Sequence, residues 1–144
     1  MRQQPVESDP QKPELVLLSP ELLLPTEECQ SDRIREVAAE ILREGIWRVP
    51  IMVERSSRIV MDGHHRRIFA LNHRLARVPC LLLEYSDVVL SAWRDDVDVH
   101  PQEIIARGLA GRLYPPKSTR HRLVRPVDFV CEYSLAELWA AARR

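Results

Sequence analysis

Arg58-Ile59-Val60-Met61-Asp62-Gly63-His64-His65-Arg66-Arg67-Ile68-Phe69-Ala70-Leu71 is the stretch on which the reading of this chain turns. Arg58 to Met61 has a short apolar strand pattern and Arg67 to Leu71 a helical one, so the chain passes from strand to helix at Gly63. Glycine at such a junction lets the backbone bend sharply and lets a ligand approach closely. The helix that follows aims free N–H groups and the positive end of its dipole at the turn, which favours an anion. His64 and His65 add imidazole donors, and Arg66 adds a guanidinium suited to two-pronged phosphate contacts. The stretch reads as an anion pocket fitted to phosphate, against the alternative of a polar turn with solvated His and Arg.

Outward from the turn, the elements alternate in type. Glu14 to Leu18 has a strand pattern, and Ser19-Pro20-Glu21 is a turn. Leu22-Leu23-Leu24 leads into a loop at Pro25-Thr26-Glu27-Glu28. Ser31 to Glu44 is the clearest helix: Ile34, Val37, Ala38, Ile41 and Leu42 make one apolar stripe, and Gly45 supplies the stop. Pro50 to Glu54 and Arg58 to Met61 form a hairpin about Arg55-Ser56-Ser57. The helix after Gly63 is expected to reach about Leu75, and Val78 to Tyr85 is apolar enough for a central strand. Val88 to Arg94 is a candidate strand carrying Trp93. Pro101 to Ala110 reads as a helix ended by Gly111, and Pro115 to Arg122 as a polar, basic loop. A strand from Leu123 to Val130 and a helix from Ser134 to Ala142, with a Ser134/Glu137 capping box, complete the chain. The mixture indicates one α+β or α/β domain.

Composition limits the function classes. The 144 residues are 45% hydrophobic and 29% charged, which suits a single globular domain. The net charge is zero, contrary to the basic excess of a dedicated nucleic-acid-binding module. Cys29, Cys80 and Cys131 are odd in number and lack a C-x-x-C pair, which indicates neither disulfides nor a zinc site and suits a reducing cytoplasm. No apolar run approaches about 18 residues and no secretory leader is evident, so neither a membrane span nor export is expected.

Three places carry residues suited to chemistry. The first is the turn at Asp62 to Arg66, where Asp62 is a candidate magnesium ligand or a fastener of the turn. The second is Lys117-Ser118-Thr119-Arg120-His121, read as a donor-rich concavity for phosphate or carboxylate, or as a solvated basic loop. The third is Glu27-Glu28, where a carboxylate can take a proton from a substrate hydroxyl or simply complement a helix dipole. Trp93 is either a core residue or a wall of a small-molecule pocket. Trp47 and Trp139 read as core or interface, while His73 and His100 receive no role. His64 and His65 are adjacent and do not share a helix face, which disfavours paired metal ligation.

With these residues in view, the chain resembles the ParB/sulfiredoxin superfamily over roughly Glu14 to Tyr85, through its element order and Gly63-His64-His65-Arg66. Within it, Asp62-Gly63-His64-His65-Arg66 is similar to the free L-serine kinases, which make O-phospho-L-serine. Leu24-Pro25-Thr26-Glu27 matches the family's catalytic-glutamate segment, and its spacing to Pro50 favours Glu27 over Glu28. Ser91-Ala92-Trp93 is similar to the family's tryptophan segment, and Lys117 to His121 to its substrate loop. The chain departs from sulfiredoxin-like reductases, which need a cysteine where His64 stands. It is expected to end too soon for the helix-turn-helix of chromosome-partitioning ParB proteins. It is also shorter than the serine kinases, which implies less substrate enclosure or another small hydroxylated substrate.

The resemblance implies an α+β, ParB/sulfiredoxin-like single domain: a small mixed sheet flanked by helices, with a short C-terminal extension. The expected division is a loose tail over 1–13 and a domain over 14–144, with core 14–85 and substrate-loop extension 86–144. The implied activity is transfer of phosphate from ATP or ADP to free L-serine, with Mg2+ as cofactor and Asp62 as its tentative ligand. Gly63, His64, His65, Arg66, Lys117 and Ser118 would bind the nucleotide phosphates. Trp93, Thr119, Arg120 and His121 would bind the amino acid, and Glu27 would be the base. The alternative is a ParB-like nucleotide-binding regulatory module without kinase activity. No nucleic acid or membrane partner is implied, and the oligomeric state is left open.

Overall fold

A computed structural model describes residues 12–125 and 129–140. Its centre is a four-stranded mixed sheet of order β1-β5-β3-β4, built from β1 (Glu14–Leu18), β3 (Ile51–Glu54), β4 (Val60–Asp62) and β5 (Val78–Leu83). β5 runs antiparallel to β1 and parallel to β3, while β3 and β4 form an antiparallel hairpin with an irregularity at Met52/Val53. Every residue of β5 is buried, as its unbroken apolar run requires of a strand covered on both faces. The two-residue period sorts its side chains. Val78, Cys80 and Leu82 face one core cluster with Val37, Ile41 and Phe69, while Leu81 and Leu83 face another with Met61 and Val88.

The helices α1 (Ser31–Glu44) and α2 (His64–Asn72) cover the first face. α1 follows its apolar stripe, burying Val37 and Ile41, and ends at Gly45 in the left-handed conformation (φ 69°). The second face is covered by a ribbon of β6 (Val88–Ala92) and β7 (Thr119–Leu123), paired antiparallel from Val88/Leu123 to Ala92/Thr119. In chain order α3 (Pro101–Ala110) falls between these two strands. A two-residue strand β2 (Ile46–Trp47) pairs with β8 (Tyr133–Ser134), which leads into α4 (Leu135–Ala140). Cys131, Leu135 and Leu138 join the same core cluster as Trp47 and Phe69, so residues after 85 share the core of those before it. The Ser134/Glu137 capping box forms in both directions, at 2.8 and 3.1 Å.

The expected α+β architecture is what the chain adopts, with local differences. Arg58 takes a left-handed turn conformation (φ 68°), so the strand begins at Val60 and carries Asp62 at its end. α2 stops at Asn72 rather than Leu75, with Arg74 also left-handed (φ 55°). Most consequential, Thr119 to Leu123 is a strand and not part of a basic loop, because it finds β6 as a partner. The expected strand from 123 to 130 is not present over its described residues. The expected tail lies mostly outside the described residues, as does the end of the last helix.

α3 approaches the sheet closely enough to require a glycine. A Cβ on Gly108 would stand 2.5 Å from Ile59 Cγ2 and 3.1 Å from Thr26 Cγ2, both on fully buried residues. Gly108→Ala is therefore expected to cost about 1–3 kcal/mol through overpacking, read as a lowered urea midpoint with unchanged slope. An unaltered midpoint would show that α3 rides loosely on this surface.

Candidate active site

The turn at Gly63 forms because only a residue without a side chain fits there. Its φ is 106°, and a Cβ would lie 3.3 Å from Ile51. α2 then starts at His64 with no side-chain cap, leaving its first amides free for a ligand. These amides face a cleft of about 260 Å³ whose lining includes Glu27, Arg33, Asp62, Arg66, Trp93 and Lys117. Three segments distant in sequence thus meet: the loop before α1, the turn before α2, and the start of β7.

Glu27 is held from the far side of the chain. Its Oε1 accepts from the Lys117 N–H at 3.2 Å, and its Oε2 accepts from the Thr119 N–H at 2.7 Å and the Thr119 hydroxyl at 2.6 Å. The backbone is fixed as well: Tyr114 N–H donates to the Thr26 carbonyl and Glu28 N–H to the Tyr114 carbonyl. Lys117 reaches this position in a left-handed conformation (φ 57°), leaving its exposed ammonium at the cleft. Glu28, by contrast, is exposed, and its side chain makes no hydrogen bond among the described residues.

The two histidines face back onto the same loop. His64 Nε2 accepts the Thr26 N–H at 3.1 Å and lies 3.2 Å from the Thr26 hydroxyl, which itself reaches the Val60 carbonyl at 3.2 Å. His65 Nε2 accepts the Gln30 N–H at 3.2 Å. A ring nitrogen that accepts carries no proton, so the proton of each neutral ring is on Nδ1. Burial, then Arg67, His121 and His65, hold His64 down at about 3. Burial also lowers His65, with Arg33 reinforcing it and Glu27 opposing it. Each ring therefore has one N–H for a ligand and no positive charge. The cations at the cleft are Arg33, Arg66 and Lys117. Asp62 is open to solvent, yet the protein crowded around its carboxyl raises it, with Arg66 and the Gly63 amide pulling the other way.

The expected donor cluster at 117–121 is divided by the strand. Successive side chains in β7 point to opposite faces, so Thr119 and His121 turn inward and Arg120 outward. Ser118 is buried, its hydroxyl donating to the Pro115 carbonyl at 2.7 Å, and it does not line the cleft. His121 is also buried away from the cleft, 3.0 Å from the Tyr85 hydroxyl, and burial holds it down at about 4. Arg120 lies over the exposed face of Trp93, 4.4 Å from its ring centroid, at the rim. Trp93 is thus a pocket wall rather than a core residue. The sequence reading did not single out Arg33, although its place in the first turn of the clearest helix was visible. It also missed Gln30, whose contribution is a backbone N–H that leaves no side-chain signal, and Thr26, which contributes its N–H and its hydroxyl.

The depressed histidines make stability depend on pH. Unfolding returns His64 and His121 from about 3 and about 4 toward the ordinary 6.5. Below 6.5 the unfolded chain takes up protons that the folded chain refuses, so stability present above 6.5 is lost progressively down to these values. Urea midpoints are expected to fall from pH 7.5 through 6 to 5, and less steeply in His121→Gln. A midpoint constant over that range would contradict the buried neutral rings.

No protein-family model matches the sequence. An ATP-dependent L-serine kinase of Desulfurococcus mucosus is 34% identical over 108 residues, covering 67% of this chain and 42% of that protein. A ParB-like protein of Sulfolobus acidocaldarius is 33% identical over 73 residues, covering 51% of this chain and 36% of that protein. The matches therefore span well under half the length of these curated relatives. Among solved structures, a free serine kinase in complex with AMP superposes with a TM-score of 0.77 at 14% identity, covering 86% of this chain and 93% of that one. That superposition establishes the fold, and the sequence match carries the kinship. The chain is thus similar over part of its length to an ATP-dependent L-serine kinase and to a ParB-like protein, and it shares the fold of a free serine kinase.

Proposed function

We propose that this chain transfers a phosphoryl group from a nucleotide, ATP in the first instance, to the hydroxyl of free L-serine or a close analogue. The observation that carries the reading is Glu27: a carboxylate oriented by three donors and placed in the same cleft as the free amides of α2. A module that only bound nucleotide would need the amides but not a carboxylate fixed this firmly. The names of the relatives, ATP-dependent L-serine kinases, support the same substrates.

Phosphoryl transfer asks the protein mainly for positioning and charge stabilisation. The amides of His64 to Arg66, the Nδ1–H groups of His64 and His65, the Arg66 guanidinium and the Lys117 ammonium would hold the phosphates. Glu27 would accept the serine hydroxyl proton as that oxygen attacks. Thr119 fixes the carboxylate, and Arg120 with Trp93 would hold the amino-acid end at the rim. Ser118 and His121 have no direct part, since both are turned inward. Among the described residues no three His, Cys, Asp or Glu side chains cluster as a metal site. Magnesium usually takes one or two protein carboxylates together with phosphate oxygens, and Asp62 is the residue that would supply the carboxylate. The ion would neutralise phosphate charge when bound.

The test is phosphoserine formation from L-serine with ATP or ADP and Mg2+. Glu27→Gln is expected to lower turnover about 10²-fold or more, with folding checked by thermal denaturation, while Glu28→Gln stays near the unaltered rate. Absence of product with either nucleotide, from folded protein, would remove the reading.

A further inference from the structure

The two imidazoles accept backbone N–H groups at both ends of the Glu27 segment, one residue before it at Thr26 and three after it at Gln30. A residue fitted only to anions would present donors, and a cation best of all. Here the nitrogen of each ring nearest the loop does the opposite. Adjacent residues on a helix diverge by about 100°, which lets His64 and His65 reach two separated points of one loop. Thr26 is fully buried, so its N–H needs a partner within the protein, while Gln30 is the exposed N-cap residue of α1.

We propose that His64 and His65 are positioning residues for Glu27: each acts as a hydrogen-bond acceptor that clasps the 26–30 segment. The clasp makes the phosphate turn and the carboxylate one mechanical unit. Glu27 is then located from both sides, by the histidines through its own backbone and by Lys117 and Thr119 through its carboxylate. The consequence for catalysis rests on the kinase reading; the clasp itself does not.

An acceptor and a phosphate ligand make opposite demands on a replacement. Glutamine offers a carbonyl oxygen that can accept the Gln30 N–H, whereas lysine offers donors only. His65→Gln and His65→Lys both give up the Nδ1–H that would hold phosphate, but kcat is expected to fall about tenfold further in His65→Lys than in His65→Gln, the scale of a misplaced catalytic group. The KM for nucleotide should not rise in His65→Lys. A kcat in His65→Lys equal to or above that of His65→Gln would overturn the proposal. A readout free of activity is 15N NMR of the unaltered chain at pH 7. Both rings should show a bare Nε2 and a protonated Nδ1, with slow exchange of the Thr26 and Gln30 amide protons. Protonated Nε2 atoms would refute the clasp even if phosphoserine is made. If phosphoserine is not made, the kinase reading falls and the NMR result decides the clasp alone. The same measurement decides it if His65→Lys does not fold.

Discussion

The interaction on which the site depends is the carboxylate of Glu27 accepting two N–H groups and a hydroxyl from the start of β7. It joins residue 27 to residues 117 and 119 across the whole domain. Hydrogen bonds to an ionised acceptor are shorter and stronger than neutral ones, and these three converge on one side chain. Around them, the Thr26/Tyr114 backbone contacts extend the seam like a short strand pair. Without it, the carboxylate would not be fixed against the segment that leads into β7.

The mixed sheet makes that junction possible. β5 is covered on both faces, so it can carry α1 and α2 on one side and the β6–β7 ribbon on the other. β4 ends at Asp62, where the chain turns at Gly63 into α2, and β7 packs beside β4. The ribbon's start therefore lies next to the turn. Gly108 brings α3 onto Ile59 and Thr26, which backs the Glu27 loop from behind.

Electrostatically the site mixes both signs, as the chain does: Arg33, Arg66 and Lys117 gather at the cleft beside Glu27, Glu28 and Asp62. The histidines beside them stay neutral because burial disfavours protonation of both, reinforced by Arg67 at His64 and by Arg33, Arg66 and Lys117 at His65. They serve better as acceptors and as single N–H donors than as charges.

The sequence by itself determined the parts whose signals are local. The apolar stripe of α1 with Gly45, the unbroken run of β5 and the strand–glycine–helix junction at 62–66 each follow from neighbours within one element. The Asp62 to Arg66 string together with Glu27 also pointed to the family. Tertiary structure alone decided the state of 117–123. In isolation that segment is polar and basic, and it becomes a strand because β6 offers unpaired backbone groups beside it. The strand's two-residue period then spends Thr119 on Glu27, buries His121 against Tyr85 and sends Arg120 out over Trp93. Pairing in space, which the order of residues does not encode locally, separated three adjacent donors into three different surroundings.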